Sequence, residues 1–277
     1  MIGLEEIKAA VPQLDGKIDL PGLADPVEVY RDRYGIPHIR AGSEGDAFFA
    51  QGFVTAQDRL WHMEYDRLRG VGRWAEVVGP SALDQDKMMR KFRLEASARA
   101  DYQAVGERTK RMMDRYAEGV NAFIETCRVL PVEYQLAGMS PEPWQPWDGL
   151  VIYKVRHIFM GVFESKVWRT KVAQGVGPEK TAQLFPGYEA GQLQILPPGT
   201  SYEGPISDGL EELSRGMTAL SVLNGSDGGS NSWALSGSRT ATGMPLLAGD
   251  SHRALDTPTV YYQNHVSCPE FDVIGLS

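Results

Sequence analysis

Cysteine is scarce in this chain of 277 residues: there are two, Cys127 and Cys268, and they match no metal-binding or redox spacing. Two separated thiols read as packed or free groups, so a disulfide framework is excluded as the basis of the fold. Apolar runs are short. Nowhere do 18 apolar residues follow one another, so no segment reads as a membrane-spanning helix and no membrane partner is expected. Positive charge is in deficit, with 28 Lys and Arg against 36 Asp and Glu and a net charge of -8. No basic patch interleaved with aromatics stands out, which argues against nucleic acid as a partner. Also missing are the glycine-rich phosphate loop of nucleotide enzymes and the Gly-x-Ser-x-Gly elbow of α/β-hydrolases. The opening Met1-Ile2-Gly3-Leu4-Glu5-Glu6 has neither the basic segment nor the apolar run of a signal peptide, which leaves the cytoplasm as the default expectation.

What is present describes a globular protein, 42% hydrophobic and 23% charged, long enough to bury a sizeable core. Val27-Glu28-Val29-Tyr30 alternates and leads through Tyr34-Gly35-Ile36-Pro37 into a second short apolar segment, which reads as a hairpin. Ser43 precedes a helical run with Phe48, Phe49, Phe53, Ala56, Leu60 and Met63 on one face, and Met112, Tyr116, Val120, Phe123 and Cys127 mark a second helix. After Trp144-Gln145-Pro146-Trp147-Asp148 a helix is expected to run towards Gly175, and Gly177-Pro178-Glu179 opens a short one. Residues 197–229 are rich in Gly, Ser and Pro with little periodicity, as in a linker. Beyond them the period turns to two: residues 232–236, 244–248, 260–266 and 271–276 read as strands.

Ser230 stands where that change occurs, in Gly228-Gly229-Ser230-Asn231-Ser232-Trp233-Ala234-Leu235-Ser236-Gly237. A serine hydroxyl is a poor nucleophile at neutral pH without an adjacent base. An α-amino group titrates near ~8, so a serine at a chain terminus carries a base on its own backbone. The amine is free only if the Gly229-Ser230 bond is cut. Glycine before the serine leaves room for attack by the hydroxyl on the Gly229 carbonyl.

The stretch resembles the processing site of the penicillin acylase family, N-terminal-nucleophile amidohydrolases made as one precursor and cut into two chains. The likeness continues through Thr240-Ala241-Thr242-Gly243-Met244-Pro245-Leu246-Leu247-Ala248-Gly249-Asp250-Ser251-His252-Arg253. It reappears in Arg33-Tyr34-Gly35-Ile36-Pro37-His38-Ile39, in Ala50-Gln51-Gly52-Phe53-Val54-Thr55-Ala56-Gln57-Asp58-Arg59-Leu60-Trp61, and in Gly72-Arg73-Trp74-Ala75-Glu76-Val77-Val78-Gly79.

The resemblance implies an α+β chain: a mostly helical α-chain region over 1–199, a spacer peptide over 200–229, and the start of an αββα β-chain sheet over 230–277. It implies Ser230 as nucleophile and, through its free amine, as base, with His252 in support, twenty-two residues further along. The acyl pocket falls on Phe159, Met160 and Phe163, which are at helical spacing and equally suit a core. Chemistry needs no cofactor. A structural calcium is allowed, but Lys166 stands at the family's glutamate position, so Glu164 would have to substitute. The oxyanion-hole donors lie further along than residue 277, which implies a longer precursor. Many relatives are exported, so the plain start is a departure. The expected substrate is a small acylated amide and the expected partners are the α and β chains of one precursor; the reading from another class is an inert fragment serving as a structural or interaction module.

Overall fold

The computed structural model describes residues 3–160, 163–186, 206–221, 229–252 and 257–277. The chain forms two compact units, the first from residues 1–24 and 48–221 and the second from residues 25–47 and 222–277. In chain order the elements are α1 (Leu4–Ala9), β1 (Glu28–Arg31), β2 (Pro37–Arg40), α2 (Glu44–Val71), α3 (Ala75–Val78), α4 (Leu83–Phe92), α5 (Leu94–Ala104) and α6 (Glu107–Thr126). They continue as α7 (Val132–Ala137), α8 (Asp148–Met160), α9 (Phe163–Val176), α10 (Pro178–Leu184), α11 (Ile206–Ser221), β3 (Gly229–Leu235), β4 (Leu246–His252), β5 (Gln263–Cys268) and β6 (Phe271–Leu276).

The first unit is helical, and its core follows the spacing of apolar residues. Phe49, Phe53, Leu60, Met63 and Leu68 of α2 are buried, with Val120 and Phe123 of α6 and Val151 and Val155 of α8. The Phe53 and Phe123 rings meet edge to face with centroids 5.6 Å apart. Helices α2 and α6 approach each other through two glycines. A Cβ on Gly119 would lie 1.9 Å from the Phe49 carbonyl oxygen, and one on Gly52 would lie 2.0 Å from that of Tyr116. Both obstacles are backbone, so an alanine is accommodated only by moving the helices apart. Gly119→Ala is therefore expected to cost about 1–3 kcal/mol, read as a lower urea midpoint with an unchanged slope.

The stretch expected to be helical towards Gly175 is occupied by α8 and α9, on either side of residues 161 and 162, which lie outside the described residues. One sequence expectation changes here. The segment read as aperiodic contains α11, which packs on α4 and α9, with Lys91 paired to Glu212 and Gly216 against Met88. The apolar spacing Ile206, Leu210, Leu213, Met217 and Leu220 is helical, but the surrounding Gly, Ser and Pro obscured it.

The second unit holds a four-stranded sheet in the order β1-β2-β5-β6 and a separate β3-β4 pair. The expected first hairpin is present, antiparallel with Tyr30 opposite His38. Its turn is fixed by Asp32, whose carboxylate accepts from the amides of Tyr34 (2.8 Å) and Ile36 (3.0 Å), while Gly35 takes φ 77°. β2 then pairs in parallel with β5, His38 opposite His265, and β5 pairs antiparallel with β6. Alternation gives the sheet two unlike faces: Val29, Ile39, Val266 and Val273 share one, and Tyr30, His38 and His265 share the other. Cys127 and Cys268 are both free thiols.

Candidate functional site

Gly229 and Ser230 are the first two residues of β3, so the expected junction coincides with the start of a strand. Antiparallel register sets Gly229 opposite His252, Ser230 opposite Ser251, and Asn231 opposite Asp250. All residues of both strands are exposed. The Ser230 hydroxyl donates to the carbonyl oxygen of Gly229 at 2.6 Å. The hydroxyl thus lies beside the one peptide group whose cleavage would make Ser230 a terminus.

Residues directly opposite in an antiparallel pair share a face, and neighbours along a strand alternate. Ser230 and Ser251 therefore point to one side; Gly229, Asn231, Asp250 and His252 belong to the other. The imidazole of His252 takes up the space that a missing side chain leaves at Gly229: a Cβ there would lie 3.3 Å from Nδ1. Nε2 of the same ring is 2.9 Å from Asp250 Oδ2 and 3.4 Å from Asn231 Nδ2. In the tautomer whose Nε2 donates to the Asp250 carboxylate, the bare Nδ1 is the nitrogen turned towards Gly229. So His252 is adjacent to the junction from the face opposite the Ser230 hydroxyl. Sequence reasoning assigned no role to Asp250; the signal was its place two residues before His252 in a strand.

The side chains of Phe159, Met160, Phe163 and Glu164, expected at the acyl pocket and the calcium site, lie outside the described residues. Lys166 is exposed on α9. Among the described residues no group of three or more His, Cys, Asp or Glu gathers as a metal site, and no helix is long and apolar enough to cross a membrane.

The penicillin amidase family model matches residues 26–277. The chain belongs to the penicillin amidase family. The penicillin acylase 2 proenzyme of Pseudomonas sp. (strain SE83) is 42% identical over 279 residues, which cover 99% of this chain and 36% of that protein. The acyl-homoserine lactone acylase QuiP of Pseudomonas aeruginosa is 34% identical over 280 residues, covering 97% of this chain and 32% of that protein. A solved structure, the thermostable penicillin G acylase from Alcaligenes faecalis in tetragonal form, matches with a TM-score of 0.49 and 30% identity over 65% of this chain and 98% of that one. The chain thus spans about a third of the length of the curated relatives it matches. The family membership and the α+β class agree with the reading of the sequence motifs.

Proposed function

We propose that this protein is the nucleophile-bearing part of a self-cleaving amidohydrolase that removes acyl groups from small amides. The supporting observation is the Ser230 hydroxyl held 2.6 Å from the Gly229 carbonyl oxygen at the first residues of a strand. In the first step Ser230 Oγ attacks the Gly229 carbonyl carbon, the Gly229-Ser230 C–N bond breaks, and the hydroxyl proton goes to the departing nitrogen. The product is an ester. Water hydrolyses it, leaving a Gly229 carboxylate and a free Ser230 amine. That amine is the base for the second reaction, in which Ser230 Oγ takes the acyl group of a substrate amide and water releases it. Relatives named as a penicillin acylase and an acyl-homoserine lactone acylase support an acylated amide as the substrate class.

The test is processing followed by turnover. Intact mass and N-terminal sequencing of the full-length precursor should give a chain beginning Ser230-Asn231-Ser232-Trp233, and the product should release amine from phenylacetyl, glutaryl or long-chain acyl amides. An active preparation with Met1 as its sole N-terminus would overturn the proposal.

His252 is proposed as a positioning residue, because its ring faces Gly229 and is anchored by Asp250. His252→Gln can still bridge Asp250 and Asn231, so it should retain about a tenth or more of kcat/KM once processed. A general base of the serine-protease kind would instead cost about 10⁴-fold or more. Activity of the correctly cut variant, with its pH profile, separates the two roles: loss of turnover to background makes His252 the base.

A further inference from the structure

His38 and His265 belong to strands brought together by the parallel β2-β5 pairing, and they stand directly opposite each other. Their Nδ1 atoms face each other at 2.9 Å, with the rings edge to face at 85°. Each ring turns its other nitrogen to a carboxylate. His265 Nε2 is 2.7 Å from Asp272 Oδ1, and His38 Nε2 is 3.7 Å from Asp32 Oδ2. The imidazoles are about three-quarters buried, with side-chain exposures of 32% and 26%.

Proton counting makes this arrangement informative. A neutral imidazole has one N–H, so two neutral rings have two. Both Nε2 atoms need one to face their carboxylates, which leaves two bare lone pairs opposed between the Nδ1 atoms. If one hydrogen is moved to the Nδ1 contact instead, a ring is left presenting a lone pair to a carboxylate. The buried His38 Nε2 has no hydrogen-bond partner. One cation between the two Nδ1 atoms, a proton or a metal ion, would let both Nε2 atoms carry hydrogen towards the two carboxylates that flank the pair.

We propose that His38 and His265 bind one divalent transition-metal ion between their Nδ1 atoms, with Asp272 orienting the His265 ring and Asp32, 3.7 Å from His38 Nε2, adding negative charge beside the other. Metal-ligating histidines commonly donate their other ring N–H to a carboxylate in this way. Metal–imidazole bonds of about 2.0–2.1 Å set a ligand separation of 2.9 Å at an angle near 90° at the metal. Cis nitrogens at a right angle suit the tetragonal or octahedral preference of Cu(II) and Ni(II) better than tetrahedral zinc. Water would complete the coordination, since no third protein ligand joins them among the described residues. The ion would tie the segment of residues 25–47 to the segment of residues 222–277. If the cut described under the proposed function occurs, these two ligands belong to different chains and the ion joins them; binding itself requires no cut.

The experiment titrates the EDTA-treated, uncut protein with Ni(II) by calorimetry and with Cu(II) by electron paramagnetic resonance. One ion per chain, with hyperfine structure from two nitrogens, is expected. His38→Gln and His265→Gln should each weaken binding by at least about tenfold. Asp272→Asn, an exposed change that leaves both ligands and the strand ladder in place, should weaken it about 10–100-fold. Absence of saturable binding to the folded protein would overturn the proposal. So would binding unchanged in all three variants, which would assign the ion to other surface histidines. A 15N spectrum showing one proton shared between the Nδ1 atoms in the presence of excess Ni(II) would do the same.

Discussion

Ser230→Ala in the full-length precursor is expected to leave a single uncut chain with no detectable amide turnover. The substitution removes one hydroxyl from an exposed strand position where that group donates to the preceding carbonyl, so the fold should be unaffected. Both proposed reactions use that oxygen as the attacking atom. The first fails because the attacking oxygen is gone, and the second fails twice over, for lack of a nucleophile and of the free amine. Loss of a hydrolase nucleophile lowers kcat by about 10⁶-fold in a comparable serine enzyme, and here no terminal amine forms either. Ser230→Cys should separate the steps: a thiolate attacks the carbonyl readily, so cleavage persists while amide turnover falls. Gel analysis, intact mass and amine release make the comparison. An alanine variant that is cut at Gly229 and turns over amides would remove Ser230 from both steps.

Ser230 stood out in the sequence as a candidate because a diglycine, a hydroxyl and the onset of alternation occupy a few consecutive residues, flanked by stretches that resemble the family's; what the structure adds is its place at the start of β3. Helices α2 and α6 were legible for a similarly local reason, since Phe49, Phe53, Leu60 and Val120, Phe123 repeat at the helical period and are buried as that spacing demands. The face of His252 was not legible. It depends on register, and pairing His252 with Gly229 rather than with Ser230 decides on which side of the sheet the imidazole stands. The β2-β5 pairing was also invisible, because parallel strands joined across most of the chain leave no turn signal between them. His38 lies within a sequence motif and His265 within a predicted strand, but no local pattern connects them. In α11, helix-breaking composition on both sides outweighed a sound apolar spacing.

Arg67→Met is expected to destabilise the helical unit by about 3–5 kcal/mol. Arg67 is buried in α2, and its guanidinium donates to Glu64 through Nη2 at 2.6 Å and to Asp148 through Nη1 at 3.4 Å. It also lies over the Trp144 ring at 5.6 Å. Methionine fills similar volume, so the packing of the aliphatic stem is largely kept and the loss is electrostatic. Glu64 and Asp148 are themselves buried. Burial pushes both carboxyls above the usual carboxylate range even with Arg67 pulling them down. Without the arginine both must ionise with less compensation or hold a proton.

The sign of the pH dependence follows. A carboxyl whose folded-state pKa is raised contributes stability that is fully present below its unfolded value and is lost as pH rises through the folded value. Removing Arg67 raises the folded values further. The deficit of Arg67→Met relative to the parent protein should therefore shrink on acidification, measured from about pH 8 down to about pH 5, as the stranded carboxyls take up protons. Urea midpoints of parent and variant across that range measure it. A deficit that stayed constant or grew on acidification would mean that Arg67 acts through packing against Trp144 and not by neutralising Glu64 and Asp148.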